Sequence, residues 1–114
     1  MLKMRILSAV ILFISAFSMS TAAISADITA APAAEGDDQP FILIEGEIIA
    51  GDDEKFRKLA AEFSDAIVVL NSEGGAISPA MDIGRTIKLR GYATVVLDGS
   101  SCASACALIW ISGS

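Results

Sequence analysis

"AIVVLNSEGGAISPAMDIGRTIKLRGYATVVL", residues 66–97, is the stretch that decides the fold. Two short apolar runs, Ala66–Leu70 and Tyr92–Leu97, stand on either side of a helical pattern. Continuous β-branched runs of this length fit strands buried in a parallel sheet. Between them, Ser78 and Pro79 make an N-cap and first-turn pair for a helix reaching Arg90. Ile77, Met81, Gly84 and Ile87 recur at helical spacing and are expected to face inward. Lys88 and Arg90 suit the last turn, and Gly91 supplies a left-handed stop.

The same alternation continues outward in both directions. "FILIEGEII", Phe41–Ile49, reads as a strand. Asp52 or Asp53 can cap a helix running to about Ser64, with Phe56, Leu59, Ala60 and Phe63 on one face. On the other side, Asp98-Gly99 is a turn, and "ASACALIWIS", residues 103–112, is a helix apolar on nearly every side, expected to be fully buried. Repeated strand–helix units imply right-handed crossovers and an α/β domain with a mainly parallel sheet, residues 41–114. Such sheets place their sites beyond the carboxyl ends of the strands. Two loops qualify: Asn71–Gly75 and Asp98–Ala103.

Those loops carry the candidate chemistry. Gly74 and Gly75 let a backbone amide approach a ligand with no Cβ in the way. Ser104 falls at the first turn of the last helix, where free amides favour a developing anion. A serine beside an exposed glycine amide is half of an acyl-transfer site; the plainer alternative is a helix-start serine beside an ordinary turn. Cys102 and Cys106 flank Ser104 and are too few for a metal site. Their i, i+4 spacing leaves open a disulfide at a bent helix start or two buried thiols. The chain has no histidine, which removes the usual Ser-His pair and any protein-only zinc site, so neither metal nor cofactor is expected. Trp110 reads as core, and Glu73 and Asp82 as surface charges. Lys55, Lys58 and Lys88 are expected on solvated helix faces.

The N-terminal segment has a different character. Lys3 and Arg5 precede an apolar core, Ile6–Phe17, and a small-residue tract, the three parts of a secretory leader. A dozen apolar residues are too few to span a bilayer, so the membrane is expected to be met only through the leader before cleavage. Cleavage is expected after Ala26, with Ala22 and Ala23 as alternatives; residues 1–26 are then a signal peptide. Residues 27–40, small, acidic and proline-containing, read as a disordered linker. All 14 acidic residues lie at Asp27 or later, whereas two of the eight basic ones lie in the leader, so the exported product would carry a net charge of −8. No basic patch exists to displace counterions from a phosphate backbone, so nucleic acid is not an expected partner. The expected location is the periplasm or outside the cell.

The order of the two loops adds a resemblance. Asn71-Ser72-Glu73-Gly74-Gly75, then a helix and a strand, then Ala103-Ser104-Ala105 opening an apolar run to Gly113, resembles the ClpP/crotonase superfamily of serine peptidases, especially exported ClpP-like proteins. Glu73 stands where that family's glycine loop has a proline. The resemblance implies that Ser104 is a nucleophile hydrolysing peptide bonds in a polypeptide substrate. It also implies that the amides of Gly75 and Ala105 form an oxyanion hole, that Asn71 and Gly74 support the loop, and that the chain forms a homo-oligomer. In that family a histidine base and an acidic residue follow further along, so this sequence is expected to be truncated before them and inactive alone. The alternatives are a secreted peptide- or partner-binding domain without catalysis, or a non-functional gene fragment.

Overall fold

A computed structural model describes residues 24–33, 35–36 and 39–114. Of the leader expected over residues 1–26, residues 1–23 lie outside the described residues. Strands β1 (Asp27–Ala31), β2 (Phe41–Glu45), β3 (Ile67–Asn71) and β4 (Ala93–Val95) form one sheet in sequence order. Helices α1 (Asp52–Ala60), α2 (Ile77–Arg90) and α3 (Ala105–Trp110) follow β2, β3 and β4. β2–β3 and β3–β4 are parallel, with Ile42 beside Val68 and Val68 beside Thr94. This is the mixed α/β arrangement with a mostly parallel sheet that the alternating pattern implies.

β1 corrects the first part of the linker expected over 27–40: residues 27–31 form a strand. It pairs antiparallel with β2, placing Ile28 beside Ile44. Only one large apolar side chain marks it: Ile28 is buried while Asp27, Thr29 and Ala30 are exposed. An edge strand needs no more, because one face suffices and antiparallel sheets tolerate water on the other. Its alternation is too short to stand out against alanine- and acid-rich composition.

The core lies between one sheet face and the helices. Ile42, Ile44, Val68 and Leu70 from the sheet meet Phe56 and Ala60 of α1, Ile83 and Ile87 of α2, and Ile109 of α3. On the other sheet face Phe41, Leu43, Ile67 and Val69 are only half-buried, so these strands alternate despite their continuous apolar runs. α1 ends at Ala60, short of Ser64. The hydroxyl of the buried Tyr92 lies 2.9 Å from the Ala60 carbonyl and 2.5 Å from that of Phe63, satisfying the helix end. α2 stops as its sequence implies: the Gly91 amide reaches Lys88 and the Tyr92 amide reaches Ile87, the paired bonds of a glycine helix stop.

Two inward faces differ from expectation. α2 buries Pro79, Ala80, Ile83, Gly84 and Ile87, whereas Ile77 and Met81 are exposed. The helix has two apolar stripes, and the small one wins. Gly84 lies against Ser112 and the Leu108 carbonyl, an approach that a larger residue would block. α3 is six residues long and buries only Ala105, Cys106 and Ile109. Trp110 is half-exposed, at 51%, and Ile111 is exposed, so the last helix is not fully buried and Trp110 is not core.

Candidate functional site

Three segments meet at the carboxyl edge of the parallel strands: residues 46–48, 71–76 and 101–105. The Ser72 amide donates to the Ser101 carbonyl at 2.7 Å, and the Ala103 amide to the Ser72 carbonyl at 3.1 Å, extending the ladder past β3. The Asn71 side-chain oxygen accepts from the Ser101 amide at 3.1 Å. On the other side the Ile48 amide donates to Gly74, and the Ala76 amide to Ile48, both at 2.8 Å. Ser72 is the knot. Its buried hydroxyl donates to the Gly46 carbonyl at 2.6 Å and accepts from the Gly74 amide at 3.1 Å. A hydroxyl so engaged is a structural tie and no nucleophile. The sequence reading missed this role; the signal was only a small hydroxyl residue placed two before a glycine pair.

Ser104 has the opposite character. It is exposed, and among the described residues it is the one non-glycine with positive φ, at φ 54° and ψ −125°. Such a conformation costs on the order of 1–3 kcal/mol and persists only where its surroundings enforce it. The surroundings here are specific. Cys102 and Cys106, on either side, are joined by a disulfide, their Cα atoms 5.2 Å apart. The Ala107 amide donates to the Ser104 carbonyl, starting α3. Gly74 fits directly against the turn: a Cβ there would fall 2.7 Å from the Ala103 oxygen, 2.8 Å from the Ser104 Cβ and 2.9 Å from the Ala105 nitrogen. Gly75 likewise lies against the Ile48 backbone, where a Cβ would strike the carbonyl.

The structure therefore brings Ser104, Ala105 and Gly74 together, with Gly75 adjacent and Asn71 bracing the loops. Among the described residues, the amides of Gly75 and Ala105 donate to no acceptor. Amides without an intramolecular acceptor can stabilise negative charge building on a carbonyl oxygen. A polar cleft of about 530 Å³ opens alongside, lined by Gly46, Glu47, Asn71, Glu73, Gly75 and Ser101 among others. A smaller apolar hollow of about 370 Å³ lies between Val96, Cys102, Ala107 and Trp110. Ser104 lines neither. Lys55 is occupied by the Ala26 carbonyl and Lys58 pairs with Glu54; neither these nor Lys88 line the cleft.

The fold is ClpP-like. Among solved structures the chain is similar to an Asn-to-Asp variant of ClpP1 from Listeria monocytogenes, with 27% identity and a TM-score of 0.54. The likeness covers 64% of this chain, which spans 46% of that one. No protein-family model matches the chain, and no curated protein does.

Proposed function

We propose that this is an exported ClpP-like protein carrying the nucleophile half of a serine-peptidase site. One observation carries the reading: Ser104 is held exposed at positive φ, directly against Gly74 and at the start of the helix whose first amide is that of Ala105. In such a site the serine oxygen attacks a peptide carbonyl, and the amides of Gly75 and Ala105 take up the oxyanion. The attack also needs a base for the hydroxyl proton. These 114 residues include no histidine, so the chain by itself leaves Ser104 a weak nucleophile. The substrate would be an extended polypeptide, the assembly a homo-oligomer and the location the periplasm.

A fluorophosphonate probe tests this. The 114-residue chain should label barely above background. If the reading frame continues past Ser114 into a histidine-bearing segment, the longer protein should label strongly and Ser104→Ala should abolish the gain. Strong labelling of the short chain would refute the need for an outside base, and labelling that survives Ser104→Ala would remove Ser104 as the nucleophile. A second reading, peptide binding without catalysis, rests on the polar cleft and the free Gly75 amide, which need no base to pair with an extended backbone.

A further inference from the structure

The export reading leaves the cleavage point open, and the fold bears on it. Ala26 is fully buried, and its amide donates to a carboxylate oxygen of Asp52 at 3.3 Å. The Ala26 carbonyl accepts from the Lys55 ammonium at 3.0 Å. Ser25 donates its hydroxyl to the other Asp52 oxygen at 2.5 Å. Asp52 is itself buried, and its remaining bond is from the Ile49 amide at 2.8 Å. It opens α1 without capping it; the cap position is Gly51, and the carboxylate turns back toward the chain's N-terminal segment. One step earlier the environment changes: Ile24 is 83% exposed.

A cut after Ala26 would remove Ser25 and Ala26. Asp52 would then lose two of its three hydrogen-bond donors while still buried, which is costly for a carboxylate. Lys55 would lose its acceptor and the core a filled position at the β1 edge. A cut three residues earlier keeps all of these contacts. The sequence agrees: Thr21-Ala22-Ala23 offers small residues at both positions such a peptidase reads, whereas Ile24-Ser25-Ala26 offers a branched apolar one at the first. Ala23 itself lies outside the described residues.

Resting on the export reading, we propose that a signal peptidase hydrolyses the Ala23–Ile24 bond. Water adds across the amide, leaving a carboxylate on the leader and a new α-amino group on Ile24. Ser25 and Ala26 remain as a structural N-terminal arm on Asp52.

The test is intact mass and N-terminal sequencing of the full-length chain expressed in an exporting bacterium and recovered from the periplasm. A product starting at Ile24 supports the assignment. A product starting at Asp27 overturns it while leaving export intact, and an exported product retaining Met1 overturns cleavage altogether in favour of a retained anchor. As a second measurement, Asp52→Ala in the same full-length precursor should leave the cleavage point unchanged and lower the melting temperature of the product. An unchanged melting temperature would remove the role given to Ser25 and Ala26.

Discussion

Gly74→Ala tests whether the close approach of the two loops is what holds Ser104 in place. Two costs follow from the geometry. Gly74 has φ +104°, and a residue with a Cβ held there is strained by about 1–3 kcal/mol. The new methyl would also lie 2.7–2.9 Å from three atoms of Ala103, Ser104 and Ala105, two of them backbone, which cannot swing aside. Overpacking of that kind costs about 1–3 kcal/mol more, so the loss comes to about 4 kcal/mol. At about 4–8 °C per kcal/mol for a domain of this size, the melting temperature should fall by roughly 15–30 °C. Gly99→Ala is the matched control. Gly99 also has positive φ, at +82°, but nothing lies within 4 Å of its missing Cβ. It should lose only the conformational part, about 1 kcal/mol, or roughly 5 °C. Thermal unfolding by circular dichroism measures both. If Gly74→Ala melts no lower than Gly99→Ala, the loops are free to part and Ser104 is not held by contact with Gly74.

Other expectations follow from the same contacts. Ser72→Ala should lower stability by about 1–3 kcal/mol in urea unfolding, because it strips the Gly74 amide of its acceptor and the Gly46 carbonyl of a donor. It should not reduce serine-probe labelling of a base-supplied protein as Ser104→Ala does. Alkylation of unfolded, unreduced protein should modify neither Cys102 nor Cys106, and prior reduction should expose both. Val96, Leu97, Trp110 and Ile111 present exposed apolar surface, with Val96 and Trp110 lining one hollow. Sedimentation should therefore show self-association, and Trp110→Asp should shift the population toward monomer.

Much of the fold was legible because it depends on patterns a few residues long. The apolar runs at 42–44, 67–70 and 93–95, the Gly91 stop and the glycine loop mark themselves without reference to the rest of the chain. What could not be read depends on distant partners. Ile28 becomes a strand residue only when β2 stands beside it, 16 residues on at Ile44. The buried stripe of α2 is chosen by Ser112 and Leu108 approaching Gly84, a tertiary preference that outweighs the larger Ile77 and Met81. Asp52 looks like a helix cap because its immediate neighbours suit one, yet its carboxylate is claimed by Ser25 and Ala26. At the site, Ser104 and the glycine pair were visible as residue types in order. The unusual backbone of Ser104 and the tie made by Ser72 arise only where three segments cross.

The antiparallel edge strand changes how this chain can collapse. β2 and β3 join residues 26 apart in sequence, as Phe41 and Ile67 show, and β3 and β4 repeat that separation from Ile67 to Ala93. Each of those pairings must wait for a whole helical crossover to be drawn in. β1 and β2 ask for far less: Ala31 meets Phe41 only 10 residues on. The hairpin is thus the one pairing among the described strands that closes by local search, on the microsecond scale of such loops. It presents a ready two-stranded template along whose free side Ile67–Asn71 can later align. A topology dominated by slow, distant pairings thereby acquires a quick starting edge, supplied by a stretch whose composition conceals it.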